Sequence, residues 1–242
     1  MFRSNDAFQR GARRPDPVAV VAPEPAADGR AIDVGPGFLG HALKRAFDLA
    51  SVVVILALFG WIMLITAVAV RFSSGSQVIF GHTRVGRGGR LFKCYKFRSM
   101  VADSDLVLRE LLETDVDARR QWERDFKLKD DPRVTRVGRF IRKTSLDELP
   151  QLWNVVKGEM SIVGPRPVVQ DEFDRYYRNA REHYLSVPPG LTGLWQVSGR
   201  NDLDYEQRVQ LDKSYVENWN VFSDFLIVMR TVKVMVVRRG AY

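Results

Sequence analysis

Two adjacent carboxylates, Asp147 and Glu148, stand in a stretch that otherwise carries mostly positive charge. The basic residues on their N-terminal side are Arg133, Arg136, Arg139, Arg142 and Lys143. A Gly-Pro-Arg-Pro run follows at residues 164–167. The planar fork of arginine binds phosphate oxygens in pairs, and a carboxylate serves as a nucleophile or a metal ligand in many enzymes. The pattern therefore predicts chemistry on a phosphate group rather than simple packing.

The same acidic pair also has a structural interpretation, because Ser145 and Glu148 have the spacing of a helix capping box. Pro150 is tolerated only in the first turn of a helix, so a helix start nearer Asp147 fits equally well. Either start places both carboxylates near the positive end of a helix, which lowers a carboxylate pKa and attracts anions. The sequence leaves open whether Glu148 caps a helix or takes part in chemistry.

Composition and charge set limits on the whole chain, which has 242 residues, a formal net charge of +8 and one cysteine. This length allows one well-packed core with an appendage. The charge predicts an anionic partner, for which nucleic acid, nucleotides and an anionic membrane surface all qualify. A single cysteine excludes an intrachain disulfide and, with only three scattered histidines, argues against a structural zinc site. We expect Cys94 to be a structural residue.

The distribution of apolar residues divides the chain into three segments. Residues 1–37 combine several prolines with glycine, alanine and mixed charges, which predicts a disordered tail. Residues 49–70 contain no charged residue, and a helix of this length covers roughly 33 Å, the thickness of a bilayer core. A buried helix of a soluble domain is the competing interpretation. We assign residues 38–72 to a membrane-embedded helix and residues 73–242 to the main domain.

The charges that flank the apolar run are unusual for a simple membrane span. Lys44 and Arg45 precede it and Arg71 follows it, so the positive-inside rule gives no clear orientation. A re-entrant helix, which enters and leaves on one face, removes this conflict, and the Gly-Trp pair at residues 60–61 is where we expect its bend. Asp48 lies at the membrane edge, where we expect it to pair with Arg45 because an unpaired charge there is costly.

The first part of the main domain alternates between strand and loop patterns. Residues 77–80 predict a short strand, and residues 91–100 predict another, with Phe92, Cys94 and Phe97 as its apolar residues. The glycine-rich basic loop at residues 84–90 is interpreted either as a hairpin turn or as a phosphate-binding loop. It lacks both a Walker pattern and a dinucleotide fingerprint, so the hairpin turn is the favoured interpretation.

The pattern after the second predicted strand is mainly typical of helices. Residues 103–129 predict one or two amphipathic helices with a solvated charged face, and residues 136–143 predict a further helical turn. That turn is expected to supply Phe140 and Ile141 to packing. The helical segments lead directly to the acidic pair.

Three features of the C-terminal third concern binding or membrane contact. Two prolines stiffen the backbone around Arg166, which is interpreted as a ligand-binding arginine or as part of a solvent-facing turn. The mixed polar and aromatic residues at 191–201 suit a ligand loop better than a core element. Residues 221–239 resemble a basic amphipathic helix in the lipid headgroup region, with a core helix as the alternative.

Five ordered motifs together resemble the bacterial sugar transferases, monotopic phosphoglycosyl transferases that act on polyprenyl phosphate. The motifs are Lys-Arg-Ala-Phe-Asp at residues 44–48, Tyr-Lys-Phe-Arg-Ser-Met at 95–100, Ser-Leu-Asp-Glu-Leu-Pro-Gln-Leu-Trp-Asn-Val at 145–155, Met-Ser-Ile-Val-Gly-Pro-Arg-Pro at 160–167, and Pro-Gly-Leu-Thr-Gly-Leu-Trp-Gln-Val-Ser-Gly-Arg-Asn at 189–201. Outside the tail, the resemblance covers nearly the whole chain. The single apolar segment is similar to that of the members that initiate exopolysaccharide synthesis.

This resemblance implies a fold of the α/β class, mostly helical. A small cytoplasmic catalytic domain would stand on a re-entrant membrane helix, supported by interfacial amphipathic helices. The implied location is the bacterial inner membrane, with the active site on its cytoplasmic face. The implied reaction transfers galactose or glucose phosphate from a UDP-sugar to undecaprenyl phosphate and releases UMP. Inner-membrane lipid is a further expected partner, nucleic acid is not, and the oligomeric state stays open, a homodimer included.

The resemblance also implies roles for individual residues. Asp147 would be the nucleophile that attacks the β-phosphorus and holds the sugar phosphate covalently, and Glu148 would bind Mg²⁺. The residues implied or considered as phosphate ligands are Arg166, Arg200, Arg142, Lys96 and Arg98. The chain departs from the family at residues 60–61, where many members carry a proline that is thought to bend the membrane helix.

Two rival hypotheses are compatible with parts of the sequence. A membrane-anchored protein that binds anions without catalysis accounts for the net charge and the apolar run, but not for the acids amid the basic cluster. A membrane glycosyltransferase that uses direct displacement accounts for the motifs without a covalent intermediate. Labelling of the protein by a donor substrate separates these hypotheses.

Overall fold

A computed structural model describes residues 38–75, 77–125, 128, 130–199 and 203–237. This part of the chain is mostly helical, with two small two-stranded sheets and one long apolar helix. The prediction that the fold is mostly helical and of the α/β class is therefore confirmed. The predicted disordered tail lies outside the described residues.

The long apolar helix, α1, spans Phe38–Ser74. The part from Leu39 to Ser74 is long and apolar enough to cross a membrane by length and composition, and only a small part of its apolar window is buried. The helix continues through Gly60 and Trp61 without interruption. Its exposed apolar side chains include Val53, Val54, Leu56, Leu58, Phe59, Leu64, Ile65 and Val68. Because exposed apolar surface on this scale is costly in water, α1 has the character of a membrane anchor.

A buried polar cluster joins the N-terminal part of α1 to the rest of the fold. Lys44 Nζ lies 3.2 Å from Asp48 Oδ1, 2.8 Å from Asp224 Oδ2 and 2.5 Å from Ser161 Oγ. Asp48 Oδ1 also accepts hydrogen bonds from Ser161 Oγ and from the Ile162 backbone N–H. The charges are paired and hydrogen-bonded, as buried charges must be to be tolerated.

The predicted ion pair between Asp48 and Arg45 is wrong, because Lys44 takes that position. The guanidinium of Arg45 instead donates to the backbone carbonyls of Val155 and Val156, over 2.5 and 2.6 Å. One helical turn separates Lys44 from Asp48, so the two side chains lie on the same face of α1. Arg45 is rotated away from that face and reaches the C-terminal carbonyls of another helix, where a cation is favoured.

The first sheet is an antiparallel hairpin of β1 (Ile79–Val85) and β2 (Leu91–Phe97). A short turn of 3₁₀ helix at Arg87–Gly89 joins the strands, and Gly88 adopts a φ of 65° that favours glycine. Phe92, Cys94 and Phe97 are buried on β2, and these are the residues that the sequence predicts to be its apolar ones. The interpretation of the basic loop as a hairpin turn is confirmed.

Three helices follow the hairpin: α2 (Ser104–Thr114), α3 (Val116–Asp125) and α4 (Arg136–Lys143). The charged stretch thus forms two helices, and α4 begins where the Thr135 side chain accepts a bond from Gly138 N. Gly138 has no room for a side chain, because an added Cβ would lie 1.9 Å from the Ser99 carbonyl oxygen. This close approach packs α4 against the end of β2.

The packing predicted for α4 is correct for one of the two residues that were expected to pack. Ile141 is buried against Val70 and Phe97 in a small core cluster. Phe140, which was also expected to pack, is 61% exposed. The two residues are neighbours in the chain and point about 100° apart around the helix axis, so only one can face the core.

The second half of the domain packs helices around a two-stranded parallel sheet. Its elements are α5 (Gln151–Lys157), β3 (Ser161–Val163), α6 (Gln170–Tyr176), α7 (Arg181–Ser186), β4 (Gly190–Thr192), α8 (Leu194–Val197), α9 (Tyr205–Glu217) and α10 (Val221–Val237). Strand β3 pairs with β4, with Ser161 opposite Gly190 and Val163 opposite Thr192. The sheet is almost wholly buried, as a short parallel sheet covered by helices should be.

The stretch expected to form a ligand loop at residues 191–201 is partly regular structure. Its first two residues complete β4, and Leu194–Val197 forms α8. Trp195 on α8 is only 5% exposed. The prediction that this run is a loop rather than a core element is wrong for these residues, because β4 supplies the backbone partner that β3 needs.

Helix α10 shows features of both interpretations of residues 221–239. Asp224 and Ile227 are buried against the domain. The exposed apolar residues are Phe222, Phe225, Leu226, Met229 and Val232. A helix that packs through one face and exposes large apolar residues on another suits a membrane interface, which is the interpretation favoured from sequence.

Candidate active site

The acidic pair lies in a short turn of 3₁₀ helix, Leu146–Glu148, between α4 and α5. Ser145, directly before it, has a φ of 57°, and it is the only described residue other than glycine with a positive φ. This left-handed conformation costs free energy for a residue with a side chain, and such strain is often found where a functional geometry is required. The turn brings Asp147 and Glu148 to the end of α4 rather than into α5.

The capping-box interpretation of Glu148 is wrong in this structure. The Ser145 side chain makes no capping hydrogen bond, and the residue that precedes α5 is Pro150. The contact between Ser145 and Glu148 is instead a backbone bond, from Glu148 N to the Ser145 carbonyl over 3.3 Å. The Glu148 carboxylate is therefore available for another partner.

That partner is Lys96 on β2. Lys96 Nζ lies 2.6 Å from Glu148 Oε1, and each side chain is 35% exposed. The pairing register of the hairpin sets the position of Lys96, because it aligns with Phe80 on β1 near the end of the sheet. The contact places Lys96 beside the acidic pair, and its role as a phosphate ligand stays a prediction.

Asp147 is half-buried, and its pKa is raised to about 6. Burial is the largest cause, since it disfavours the charged carboxylate. The positive charges of Lys96 and Arg142 lower the pKa, and the neighbouring charge of Glu148 raises it. The sequence predicted a lowered pKa at the positive end of a helix, and this direction is wrong because the loss of solvent outweighs the nearby cations.

Arg142 is the second cation that acts on Asp147. It lies in the last turn of α4, and its Nε donates to Ser99 Oγ over 2.8 Å. Partial burial lowers the pKa of its guanidinium, while the charge of Asp147 raises it. The structure therefore places Arg142 near the carboxylate of Asp147, and its role as a phosphate ligand stays a prediction.

Arg98 does not join this group. Its Nε donates to the Gln77 carbonyl over 3.0 Å, and its guanidinium lies 5.8 Å from the centre of the Phe80 ring. Both contacts are to the β1 side of the hairpin, so no contact of Arg98 with Asp147 or Glu148 is found among the described residues. The assignment of Arg98 as a phosphate ligand receives no support from this arrangement.

Arg166 is exposed in the turn that follows β3. Its backbone N–H donates to Asp212 Oδ2 over 3.3 Å, and its guanidinium lies 5.3 Å from the centre of the Trp195 ring. The charges of Arg166 and Glu148 both act on the buried thiol of Cys94, whose pKa burial raises to about 11. Arg166 thus lies within electrostatic reach of the strand that carries Lys96. Arg200 lies outside the described residues.

Two residues of α9 near Arg166 were not identified from sequence. Arg208 lies 5.1 Å from the Trp195 ring, and Asp212 is buried with Tyr177 and the Arg166 backbone as partners. Burial raises the pKa of Asp212 to about 7. An Arg and an Asp one helical turn apart are typical of a solvent-exposed pair, so the sequence contains no strong indication of this role.

The carboxylates allow a magnesium site only together with a substrate. The described residues contain no group of three or more His, Cys, Asp or Glu side chains that could hold a metal ion. Mg²⁺ commonly binds one or two carboxylates and completes its coordination with water and substrate phosphates. The half-exposed Glu148 beside Asp147 fits that donor set, although Glu148 Oε1 would share its bond to Lys96.

Comparison with known proteins identifies close relatives over most of the chain. An undecaprenyl-phosphate galactose phosphotransferase of Salmonella typhimurium is 56% identical over 200 residues, which cover 83% of this chain and 42% of the relative. The exopolysaccharide production protein ExoY of Rhizobium meliloti is 49% identical over 204 residues, which cover 84% of this chain and 90% of the relative. An undecaprenyl-phosphate glucose phosphotransferase of Komagataeibacter xylinus is 39% identical over 209 residues, which cover 82% of this chain and 37% of the relative.

The extent of these matches differs between relatives. The chain spans less than half the length of the Salmonella and Komagataeibacter proteins and most of the length of ExoY. The sequence model of the bacterial sugar transferase family matches residues 39–238. This range includes nearly all of α1, the acidic pair, Arg166 and Arg208. The chain belongs to the bacterial sugar transferase family.

Proposed function

We propose that this chain transfers galactose or glucose phosphate from a UDP-sugar to undecaprenyl phosphate, releases UMP, and thereby initiates exopolysaccharide synthesis. The names of the Salmonella and Komagataeibacter relatives support the acceptor and the sugars, and the name of ExoY supports the pathway. The observation that carries the proposal is the half-buried carboxylate of Asp147 beside two cations, with a pKa raised to about 6. A carboxylate that is ionised at neutral pH yet partly desolvated is suited to nucleophilic attack.

In the first step, a carboxylate oxygen of Asp147 attacks the β-phosphorus of the UDP-sugar. The bond between that phosphorus and the bridging oxygen breaks, and UMP leaves with the electron pair. The product on the protein is an aspartyl phosphate that carries the sugar. Lys96 and Arg142 are positioned to offset negative charge on the phosphate oxygens near Asp147.

In the second step, a phosphate oxygen of undecaprenyl phosphate attacks the same phosphorus. The bond to Asp147 breaks, the carboxylate is restored, and the sugar becomes linked to the lipid through a diphosphate. Glu148 and the substrate phosphates would hold Mg²⁺, which would neutralise charge on the diphosphate. Lys96, which pairs with Glu148, supplies a cation to the same place.

For the membrane, we propose that α1 lies in the inner membrane as a re-entrant helix and that the active site faces the cytoplasm. Residues near both ends of α1 contact the main domain: Lys44 and Asp48 at the start, and Met63 and Val70 further on. The exposed apolar side chains lie mainly between these contacts. A re-entrant path accounts for both sets of contacts and for the basic residues on both flanks. It requires α1 to bend while its helical structure stays continuous through Gly60 and Trp61.

The test is incubation of the purified chain with UDP-galactose or UDP-glucose labelled in the β-phosphate, with Mg²⁺ and without lipid. We expect UMP release and label on the protein, and loss of both in Asp147→Asn. The matched control is Asp171→Asn, which changes an exposed carboxylate in the first turn of α6. Addition of undecaprenyl phosphate should move the label from the protein to the lipid.

The other outcomes separate the rival functions. Turnover that persists in Asp147→Asn would overturn the assignment of the nucleophile. A lipid-linked product without any labelled protein would favour direct displacement. Binding of the UDP-sugar without UMP release or lipid product would favour an anion-binding protein that lacks catalysis.

A further inference from the structure

Two guanidinium groups lie against one buried aromatic ring. All three residues follow the acidic pair in the sequence. The Cζ atoms of Arg166 and Arg208 lie 5.3 and 5.1 Å from the centre of the Trp195 ring. Trp195 is 5% exposed, so the ring is a rigid platform rather than a mobile surface side chain. The fold therefore holds both positive charges against the same side chain.

Neither guanidinium forms an ion pair with a carboxylate among the described residues, although the charge of Arg166 acts on the buried carboxylate of Asp212. Glu172, an acidic residue of the neighbouring α6, forms its ion pair with Arg84 at 3.8 Å. Arg208 donates from Nε to the Leu203 carbonyl over 3.1 Å, which is a neutral partner. Two like charges at one ring make the surrounding potential more positive, and a bound anion would be attracted to both.

Helix α9 positions both halves of the arrangement. It supplies Arg208 and, one turn later, Asp212. Asp212 Oδ2 accepts bonds from the Arg166 backbone N–H and from Tyr177 Oη, over 3.3 and 2.8 Å. Asp212 therefore orients the turn that carries Arg166, while Arg208 brings the second cation to the same ring.

The surroundings of the arginine pair leave polar atoms unsatisfied in the part of the chain that the structure describes. Trp195 Nε1 is a donor suited to a phosphate oxygen, and it is buried with no hydrogen-bond partner there. Asp212 Oδ1 is also buried without a partner, but as a carboxylate acceptor it does not favour an anion. An unpaired buried donor or acceptor is rare in proteins and commonly indicates a place for water, an ion or a ligand. This observation is independent of the charges of the two arginines.

We propose that Arg166, Trp195 and Arg208 form a binding site for a phosphate-bearing group, in which Arg208 is a phosphate-binding residue. The paired forks of two arginines offer the planar, bidentate hydrogen bonding that phosphate oxygens accept. This inference rests on the proposed function for its ligands, which are the diphosphate of the UDP-sugar and the phosphate of the lipid acceptor. Its location near the strand that carries Lys96 suits either ligand.

The experiment uses the full chain in detergent and three variants. Arg208→Gln removes the cation, and Arg208→Lys keeps the charge without the fork. The control is Arg175→Gln, whose guanidinium lies 5.4 Å from the centre of the single ring of Tyr176 and shares it with no second cation among the described residues. Calorimetric titration measures binding of pyrophosphate and of UDP, and steady-state kinetics measures KM for the UDP-sugar and for undecaprenyl phosphate.

We expect Arg208→Gln to weaken binding of at least one phosphate ligand about ten- to hundredfold, because a charge-assisted hydrogen bond is lost. Arg208→Lys should lie between the wild type and Arg208→Gln, and Arg175→Gln should stay within about twofold of the wild type, since exposed single substitutions have small effects. A melting temperature close to that of the wild type separates this effect from a loss of folding. If Arg208→Gln does not fold, Arg208→Lys carries the test.

The two ligand sources give different results, and both support the proposal. Weaker binding of UDP and pyrophosphate identifies the donor diphosphate, whereas a raised KM for undecaprenyl phosphate alone identifies the lipid phosphate. Unchanged affinity and unchanged KM for both ligands in folded Arg208→Gln would overturn it. If the wild type releases no UMP, the proposed function fails, and pyrophosphate binding still decides whether the arginine site exists.

Discussion

Lys96 Nζ lies 2.6 Å from Glu148 Oε1, although 52 positions separate the two residues in the chain. The contact joins the end of the β1–β2 hairpin to the turn between α4 and α5, and it sets a cation beside Asp147. Because each side chain is 35% exposed, water screens the pair, and its net contribution to stability is small. The main consequence of the contact is electrostatic and concerns the acidic pair.

We expect Lys96→Gln to lower the rate of UMP release strongly while changing the free energy of unfolding by less than about 1 kcal/mol. Removal of the cation leaves charge on the phosphate oxygens without a partner, which commonly costs about 100-fold or more in rate. Lys213→Gln is the matched control, because Lys213 pairs with Glu217 at 3.7 Å on the surface of α9 with similar exposure. Equal rates for the two variants would contradict a role for Lys96.

The rate of formation of the aspartyl intermediate should depend on pH through Asp147. Only the carboxylate is a nucleophile, so the rate should rise as pH increases through about 6 and then level off. The charge of Lys96 lowers the pKa of Asp147, so Lys96→Gln should move this rise to higher pH. Single-turnover labelling between pH 5 and 8 measures both, and an identical midpoint in the two proteins would contradict the coupling.

Ionisation of Asp147 should raise the reaction rate but lower the stability of the fold. The pKa of Asp147 is higher in the folded chain than the ordinary value of 3.8, so the unfolded state loses its proton first as pH rises. Stability should therefore decrease between pH 3.8 and about 6, by up to about 3 kcal/mol from this group. Asp147→Asn should lack this decrease and be the more stable protein at pH 7, as thermal unfolding of both at several pH values would show.

The left-handed backbone at Ser145 predicts a difference between two substitutions. Ser145→Val should destabilise the fold by about 1–3 kcal/mol, because a β-branched side chain is poorly tolerated at a φ of 57°. Ser145→Gly should leave stability nearly unchanged, since relief of strain offsets the added freedom of the unfolded chain. Ser186→Val, at a position in α7, is the control for the loss of a serine. Similar melting temperatures for the two Ser145 variants would show that the turn relaxes.

Removal of the buried cation on α1 should weaken the attachment of this helix to the main domain. Lys44→Met leaves Asp48 and Asp224 buried without their charge partner, at a cost of about 3–5 kcal/mol. The double variant Lys44→Met with Asp48→Asn should recover part of this loss, because an amide oxygen still accepts from Ser161 and the Ile162 backbone. Thermal unfolding and limited proteolysis in detergent measure the effect, and additive losses would argue against a shared cluster.

The proposed re-entrant helix can be tested by labelling a cysteine introduced at Ala12 in intact cells. If α1 returns to the cytoplasmic face, an impermeant thiol reagent should label Ala12→Cys only after the membrane is opened. The natural Cys94 should give little background, because it is buried and burial raises the pKa of its thiol to about 11. Labelling in intact cells would indicate a straight span with the tail outside.

Local patterns in the sequence were sufficient for much of the fold. The charge-free run at residues 49–70 specifies a long apolar helix, and the alternation around Cys94 specifies a strand, because helical and strand periods depend only on nearby residues. The acidic pair at residues 147–148 and the ordered motifs were also sufficient to identify the family. Each of these features is a property of composition or spacing within a short segment.

Tertiary structure alone decided the partners and charges of the site. Glu148 bonds Lys96 and not Ser145, Asp48 bonds Lys44 and not Arg45, and burial moves the pKa of Asp147 upward. Arg208 joins Arg166 because α9 and α8 pack together, which no local pattern indicates. Pairing and desolvation depend on residues that are distant in the chain and adjacent only after folding. The sequence therefore identifies the chemical groups, and packing determines their partners and charge states.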